Sequence, residues 1–201
     1  MTDAASNADR KALRQQIRAR RRAVPLTERA RAGQLVAYHA DRYLHLRAGW
    51  RIAIYAAMPS ELDTAPLIDL ARRRGCIVYV PRIDRHSSSR KMRFVELTGR
   101  QRLNRLGIHE PEGSSTIGAR WLDVVFLPLV GFDAHGVRLG MGGGYYDRAF
   151  AFRLWRKVWH APRLIGLAYS FQQVQSLIAA PHDVRLDAVV TEERIVQCAI
   201  G

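Results

Sequence analysis

One apolar run followed closely by a glycine-rich segment limits the folds open to this chain. The run LDVVFLPLVGF, residues 122–132, is too short to cross a membrane, which takes roughly 20 apolar residues. It is typical of a central strand buried on both faces of a sheet. The segment GVRLGMGGGYYDR, residues 136–148, places five glycines within nine positions. Because glycine loses the most backbone freedom on folding, a cluster of this density indicates a loop that needs it.

Segments typical of strands and helices alternate around this run. We predict further strands over residues 51–58, 76–83, 91–97, 163–170 and 187–191, and helices over 63–75 and 145–155. Two helices precede them: the first has Ser6 as its N-cap and ends before Pro25, and the second runs from Thr27 to about Arg47. The alternation predicts an α/β fold, a three-layer αβα sandwich with a largely parallel sheet. We expect residues 1–201 to form a single domain, with residues 1–7 as a flexible tail.

A strong positive charge is the main departure from an average composition. The net charge of +14 predicts binding of polyanions: nucleic acid, an anionic membrane surface, or phosphorylated and polycarboxylate small molecules. The opening residues lack the apolar core of a signal peptide, so we expect a cytoplasmic protein that does not insert into a membrane. Cys76 and Cys198 are too few for a disulfide framework or a zinc site, and we expect buried, inert thiols.

The glycine-rich segment has the chemistry of a phosphate site. Backbone N–H groups of a loop that leaves a buried strand and enters a helix can surround a phosphate, and a Cβ would keep that phosphate away. Arg138 adds a cation and Asp147 a carboxylate, so the segment predicts a magnesium–nucleotide site. It is not a GxxxxGK[ST] loop, and a dinucleotide GxGxxG pattern fails at Tyr145. A purely structural turn, in which glycine serves close strand–helix packing, is the alternative.

The segment RLGMGGGYYDR, residues 138–148, resembles the signature of the 5-formyltetrahydrofolate cyclo-ligase family, also called methenyltetrahydrofolate synthetases. Further segments are similar in the same order and extend the resemblance over nearly the whole chain: RKALRQQIRARRRAV (10–24), IYAAMPSELDT (54–64), LGIHEP (106–111), FLPLVGFDAHGVRLG (126–140) and PHDVRLDAVVTEE (181–193). The resemblance implies a sandwich fold shared with ribose-phosphate isomerases and CoA transferases. It also implies ATP- and Mg²⁺-dependent ring closure of 5-formyltetrahydrofolate to 5,10-methenyltetrahydrofolate, through phosphorylation of the formyl oxygen, with ADP and phosphate released.

The resemblance implies roles for individual residues as well. It assigns ATP binding to the opening helix and the glycine-rich segment: Arg10, Lys11, Arg14, Arg138, Leu139, Gly140, Met141, Gly142, Gly143, Gly144, Tyr145 and Tyr146. It assigns substrate binding to Met58, Glu61 and Tyr146, catalysis to Arg138, Tyr145 and Tyr146, and Mg²⁺ binding to Asp147 and Asp187. Some members carry a basic residue where this chain has Met141 or Gly143, so a phosphate-contacting cation is expected from Arg148 or from the opening helix.

Other interpretations stay open at this point. Residues 1–31 carry nine Arg and Lys against three acidic residues, which also fits a basic nucleic-acid-binding protein. The sequence has no zinc spacing, aromatic RNA-binding strand motif or helix-turn-helix, which disfavours nucleic acid. A sugar-phosphate isomerase or CoA transferase would rest on fold analogy alone. We therefore expect a monomer that binds ATP and 5-formyltetrahydrofolate, with or without a polyglutamate tail.

Each assigned residue also has a structural alternative. The basic opening helix is explained equally by a solvated charged face. Met58, Tyr145 and Tyr146 have the chemistry of core residues. Asp147 suits the start of a helix and Asp187 suits a turn, with no metal involved.

Overall fold

An eight-stranded sheet forms the centre of the molecule. The computed structural model describes residues 2–83, 91–98, 101–103, 109–111, 115–155 and 161–198, and the side chains of all of these except 2–7, 101–103 and 109–111. The strands in chain order are β1 (Arg51–Ile54), β2 (Ile77–Ile83), β3 (Met92–Glu96), β4 (Gln101–Leu103), β5 (His109–Pro111), β6 (Thr116–Ile117), β7 (Val124–Pro128), β8 (Gly131–Phe132), β9 (Arg138–Leu139), β10 (Arg163–Leu167), β11 (Ala188–Val190) and β12 (Ile195–Gln197). Residues 106–108 of the segment LGIHEP lie outside the described part.

The central sheet is parallel in the middle and antiparallel at its edges. Its strand order is β12-β11-β10-β7-β1-β2-β3-β6. The five strands from β11 to β2 pair in parallel, while β12, β3 and β6 add antiparallel pairs. Two short antiparallel pairs, β4–β5 and β8–β9, stand apart from this sheet. The predicted α/β fold with a largely parallel sheet is confirmed.

Helices and loops cover both faces of the sheet. The helices are α1 (Thr2–Ala23), α2 (Leu26–Leu44), α3 (Ala65–Arg73) and α4 (Tyr145–Phe150), with 3₁₀ turns at Ala119–Trp121, Ala151–Trp155 and Ser170–Gln172. Ile52 and Phe126 point to the face covered by α2 and α3. Ala53 and Val125, one residue along each strand, point to the opposite face and pack near Phe150 of α4. This alternation along each strand produces the three predicted layers, because successive side chains of a strand point to opposite faces.

Several predicted boundaries differ from the observed ones. The first helix begins at Thr2, so Ser6 lies inside it and is not an N-cap, and residues 2–7 continue the helix. Ala4 and Ala5 favour this extension, since alanine is the strongest helix former. The predicted helix 145–155 divides into α4 and a 3₁₀ turn. The predicted strand 51–58 ends at Ile54, so residues 55–58 leave the sheet.

The apolar run 122–132 is one strand in the prediction but two in the structure. Strand β7 ends at Pro128, and β8 begins at Gly131. The intervening carbonyls of Leu129 and Val130 accept hydrogen bonds from Nε2 of Gln172, at 3.1 and 2.8 Å. The side chain of Gln172 therefore satisfies buried carbonyls where the chain leaves the sheet.

Helix α1 lies against the β8–β9 hairpin, near the carboxyl end of β7. Ile17 forms a small apolar cluster with Val130 and Leu139. A Cβ added at Gly131 would lie 3.1 Å from Cδ1 of Ile17, so glycine permits this close approach. Both cysteines are free and buried, as predicted. Among the described residues, no helix has the length and apolar character needed to cross a membrane.

Candidate active site

A cavity of about 610 Å³ opens at the carboxyl ends of β1, β2 and β7. Tyr55 directly follows β1, Ile83 ends β2, and Leu129 directly follows β7; all three line the cavity. This is the edge at which open α/β sheets bind ligands. The volume lies within the range of small-molecule sites, about 300–1,000 Å³.

The glycine-rich loop forms one wall of this cavity, and Gly140, Gly142, Gly143 and Gly144 all line it. Gly142 and Gly144 have φ values of 92° and 59°, in the left-handed region that other residues rarely adopt. A Cβ on Gly140 or Gly142 would meet no atom within 4 Å, so these two glycines border open space. The loop therefore presents bare backbone to the cavity, as a phosphate cradle requires.

Arg148 supports the glycine loop from its outer side. Its Nη2 donates a hydrogen bond to the carbonyl of Gly143 at 2.9 Å. Its guanidinium lies over the ring of Tyr145, 5.1 Å from the ring centroid. A Cβ at Gly143 would come within 2.6 Å of Cε2 of that ring, so glycine is also needed for packing here. Arg148 is not among the residues that line the cavity, whereas Tyr145 and Met141 are.

Two arginines of α1 line the cavity beside the loop. The Nε atom of Arg14 donates to the carbonyl of Gly140 at 2.9 Å, and Arg10 lies 3.7 Å from the carboxylate of Asp183. Partial burial lowers the pKa of the Arg14 guanidinium, and the neighbouring charge of Arg10 lowers it further. Two cations that repel each other beside an open loop favour an anionic ligand between them. Lys11 is exposed and does not line the cavity.

An ion pair between a buried arginine and a half-buried aspartate links the two ends of the glycine loop. Arg138, on β9, donates to Oδ1 of Asp147, in the first turn of α4. Arg138 also donates to the carbonyl of Val184, and the Val184 amide donates to the same Asp147 oxygen at 3.1 Å. Arg138 and Asp147 both line the cavity. Leu139, between Arg138 and the loop, is fully buried in the cluster with Ile17 and does not line it.

The other end of the cavity carries a carboxylate among apolar and phenolic groups. Glu61 is buried, and its Oε2 accepts a hydrogen bond from the Met58 amide at 3.0 Å. The Glu61 amide donates to the Met58 carbonyl at 2.8 Å, so residues 58–61 form a closed turn. The Met58 side chain is 62% exposed on the cavity wall, where a bound ligand would cover it. Apolar side chains including Ile83, Met92 and Leu129 also line the cavity.

Two tyrosines in the cavity are held in their protonated form. Burial raises the pKa of the Tyr55 and Tyr146 phenols above the ordinary value, and the Glu61 carboxylate raises both further. Arg138 opposes this shift in the pKa of Tyr146, as Arg21 does for Tyr55. Both phenols therefore act as hydrogen-bond donors at neutral pH. Tyr146 adjoins the glycine loop in sequence, and its phenol lies close enough to Glu61 and Arg138 for both charges to shift its pKa.

Asp187 does not line the cavity, contrary to the expectation that it shares a site with Asp147. Its Oδ1 accepts a hydrogen bond from Nη2 of Arg153 at 2.7 Å, and its Oδ2 accepts one from the Leu164 amide at 2.6 Å. Both oxygens are therefore engaged in joining β11 to β10 and to the 3₁₀ turn after α4. The structure does not bring Asp147 and Asp187 together.

Sequence reasoning assigned no role to Tyr55, Asp183 or, above all, Arg21. Arg21 is buried, and it contacts residues of the turn that holds Glu61. A signal for it exists in the sequence, because Arg10, Arg14, Ile17 and Arg21 are spaced by four, three and four positions and share one helix face.

The sequence and the fold have counterparts among known proteins. A family model described as the 5-formyltetrahydrofolate cyclo-ligase family matches residues 6–192. A 5-formyltetrahydrofolate cyclo-ligase of Escherichia coli (strain K12) is 36% identical over 183 residues, which cover 89% of this chain and 98% of that protein. One of Mus musculus is 31% identical over 199 residues, which cover 93% of this chain and 95% of that protein.

Two solved structures share the fold of this chain. A 5,10-methenyltetrahydrofolate synthetase from Mycoplasma pneumoniae has a TM-score of 0.71 at 25% identity, covering 92% of this chain and 99% of that chain. The NMR structure of the Aquifex aeolicus 5,10-methenyltetrahydrofolate synthetase has a TM-score of 0.76 at 25% identity, covering 96% of this chain and 94% of that chain.

Proposed function

We propose that the cavity between α1 and the glycine-rich loop is the active site of this chain. The chain belongs to the 5-formyltetrahydrofolate cyclo-ligase family and converts 5-formyltetrahydrofolate to 5,10-methenyltetrahydrofolate. The family implies the use of ATP. The observation that carries the proposal is the convergence of a bare glycine loop with Arg10, Arg14 and Arg138 at one end of a cavity whose other end is apolar and holds Glu61.

ATP binds at the basic end in this proposal. The loop amides of residues 140–144 and the guanidinium groups of Arg10 and Arg14 contact its phosphates. Arginine grips phosphate through paired hydrogen bonds, and the pKa of Arg14 is already lowered by burial and by the charge of Arg10. Leu139 contributes through its position in the core, since its side chain is buried away from the cavity. The predicted ATP contact of Lys11 has no support from its exposed position.

The folate binds at the apolar end. Its pterin ring carries N–H donors, and a buried carboxylate such as Glu61 is a strong acceptor for them. Met58 and Tyr146 lie beside Glu61 on the cavity wall and offer an adaptable apolar surface and an aromatic ring to the pterin. This arrangement directs the formyl group toward the glycine loop, where the γ-phosphate of ATP lies.

The reaction proceeds by activation of the formyl oxygen. This oxygen attacks the γ-phosphorus of ATP, and ADP leaves. N10 of the folate then attacks the formyl carbon, loses its proton, and expels the phosphate, which carries away the original formyl oxygen. The protein's task is to align two substrates and to stabilise the charge on the transferred group, as in other phosphoryl transfers. We assign Arg138 to the transferred phosphoryl group, and we assign Tyr145 and Tyr146 to the alignment of the two substrates.

Magnesium fits this cavity as an ion held mainly by ATP. Among the described residues, no three or more histidine, cysteine, aspartate or glutamate side chains are grouped to hold a metal ion. Mg²⁺ is commonly held by one or two carboxylates together with phosphates and waters. We assign Asp147 as that carboxylate, because it lines the cavity and adjoins the loop. When bound, the ion would offset the negative charge of the phosphates.

Isotope transfer tests this mechanism directly. 5-Formyltetrahydrofolate labelled with ¹⁸O in the formyl group is converted with ATP and Mg²⁺, and the released inorganic phosphate is analysed by mass spectrometry. The proposal requires the label to appear in phosphate, with one ADP formed for each methenyl product. Label found in water, or equal product formation without ATP, would contradict it.

A further inference from the structure

Arg21 is a buried cation on the inner face of α1. Its side chain is 4% exposed, and it lies about two helical turns beyond Arg14 on the face that packs against the hairpin. It does not line the cavity, so it does not touch a ligand there. The neighbouring Arg20 and Arg22 are exposed, which makes Arg21 the member of the run Arg20–Arg22 that is buried.

Three elements meet at the Arg21 guanidinium. Nη1 donates to the carbonyl of Leu129, directly after β7, at 3.3 Å. Nη2 donates to the Ser60 hydroxyl at 3.4 Å and lies 3.9 Å from Oε1 of Glu61. Arg21 therefore connects α1, the cavity edge of the sheet and the turn that carries Glu61.

Glu61 is held from two sides. The Met58 amide binds Oε2, and Arg21 faces Oε1. The first contact is local to the turn, whereas the second comes from a helix 40 positions earlier in the chain. Because Arg21 is the cation in a salt bridge with Glu61, it is the group that compensates the buried carboxylate charge.

Stability alone is a poor explanation for a buried arginine at this position. The Nε atom of Arg21 is buried with no hydrogen-bond partner among the described residues, and its other contacts are long. Burial lowers the pKa of this guanidinium, and Glu61 opposes that shift. A buried ion pair of this kind is often no more stabilising than an apolar replacement, so stability alone does not account for these two charges.

We propose that Arg21 is a positioning residue, which fixes the orientation of the Glu61 carboxylate so that it accepts hydrogen bonds from the folate. The inference rests on the substrate role proposed above for Glu61. Arg21 thereby couples the helix that supplies the ATP-contacting arginines to the folate end of the cavity. Its effect is exerted through Glu61 and not by contact with substrate.

A double-mutant cycle tests this inference. Arg21→Gln, Glu61→Gln and the double variant are compared with the unmodified enzyme for KM and kcat with each substrate, and Arg22→Gln is the matched exposed control on the same helix. We expect Arg21→Gln to raise KM for 5-formyltetrahydrofolate by about tenfold, because the Glu61 carboxylate loses the buried cation that faces its Oε1. KM for ATP should change by less than about twofold, and Arg22→Gln should change neither value. Residues that act as one unit are not additive, so Arg21→Gln should add little in the Glu61→Gln background.

The outcomes separate the two proposals. If Glu61→Gln leaves KM for the folate unchanged, the substrate role of Glu61 fails, and this inference fails with it. A different result overturns only this inference and makes Arg21 structural. In that case Glu61→Gln impairs folate binding, but Arg21→Gln has its full effect also in the Glu61→Gln background, or it raises the KM values for both substrates equally. Thermal unfolding checks each variant; if Arg21→Gln does not fold, Arg21→Lys, which keeps the charge, replaces it in the same cycle. We expect a smaller rise in folate KM from Arg21→Lys, again absent in the Glu61→Gln background.

Discussion

Arg138 and Asp147 form a salt bridge that joins strand β9 to the first turn of α4, and both side chains line the cavity. Nine positions separate them, and the glycine loop lies between. The pair closes the loop at its base while leaving Oδ2 of Asp147 outside these contacts. The same carboxylate therefore both fixes the loop and provides the oxygen we assign to magnesium.

Asp147→Asn should keep the fold and lower turnover. Asparagine keeps the shape of the side chain but removes the negative charge beside Arg138. Loss of a charge-assisted contact worth about 1.5–3 kcal/mol corresponds to a rate loss of tenfold or more. Raising the magnesium concentration should restore part of the rate. Initial rates measured against magnesium concentration check this, with Asp187→Asn as the control. Asp187→Asn should weaken the contact with Arg153 and lower the unfolding temperature without changing the magnesium dependence. Normal rates for Asp147→Asn at low magnesium would remove Asp147 from the metal site.

Arg14→Ala should weaken ATP binding and leave folate binding nearly intact. Arg14 lines the cavity and contacts Gly140, whereas Lys11 on the same helix is exposed away from it. Loss of a charged hydrogen bond to phosphate should raise the Kd for ATP by about tenfold. Lys11→Ala serves as the matched control and should change the Kd by less than about twofold, within the small effect of exposed charges. Isothermal titration with each substrate measures this. Equal losses in both variants would make α1 a general basic surface.

Gly142→Ala should impair ATP binding beyond its effect on stability. Gly142 has φ of 92°, and Gly49, outside the cavity, has φ of 81°; a Cβ on either would meet no atom within 4 Å. Alanine at either position should therefore cost a similar amount of unfolding free energy, about 1–2 kcal/mol. Only Gly142→Ala should raise KM for ATP, because its Cβ enters the phosphate cradle. Urea unfolding and steady-state kinetics of both variants decide this. A normal KM for Gly142→Ala would leave the loop with a structural role alone.

Alkaline pH should destabilise the protein through its buried thiols. Burial raises the pKa of Cys198 to about 12 and raises that of Cys76 as well, above the value of about 8.5 for an unfolded chain. The stabilising preference for the neutral thiol is thus complete below pH about 8.5 and is lost as pH rises from there toward the folded-state pKa, by up to about 1.4 kcal/mol per pH unit for each thiol. Urea unfolding between pH 8 and 10 in the presence of reductant should show this decline.

Cys198→Ala should flatten that decline by removing one titrating group. The comparison is made within each pH value, so any constant cost of the substitution cancels. A slope unchanged by Cys198→Ala would show that the thiol ionises as easily in the folded protein as in the unfolded one. Above pH 10 the tyrosines with raised pKa, including Tyr55 and Tyr146, add to the loss of stability.

The parts of the fold that depend on local chemistry were predictable from sequence. The glycine-rich segment after an apolar run marked the cavity edge, and the β-branched segment 76–83 marked a strand. Strand ends were less predictable, because long-range contacts set them. Gln172 ends the strand that begins at Val124 by binding the carbonyls of Leu129 and Val130, and nothing near those residues in sequence announces that contact.

The site shows the same division. Residues beside the glycine loop could be assigned from their position, and Arg138 and Asp147 do line the cavity. Asp187 and Lys11 have the right chemistry, but neither lines the cavity. Asp187 accepts hydrogen bonds from Arg153 and the Leu164 amide instead, and Lys11 is exposed on α1. Arg21 was overlooked among a run of arginines because charge runs are usually solvated faces. Its spacing of four, three and four positions with Arg10, Arg14 and Ile17 is the pattern that separates it from the exposed arginines beside it.

The small contact of Ile17 with Val130 and Leu139 has a thermodynamic consequence for ligand affinity. Arg10 and Arg14 reach the cavity only while α1 is docked on this contact, so docking and nucleotide binding are linked equilibria. The contacts of ATP with those two side chains therefore stabilise the docked helix by the same free energy by which docking strengthens ATP binding. A methyl group on Ile17, which touches no ligand, thereby becomes a determinant of the affinity for ATP.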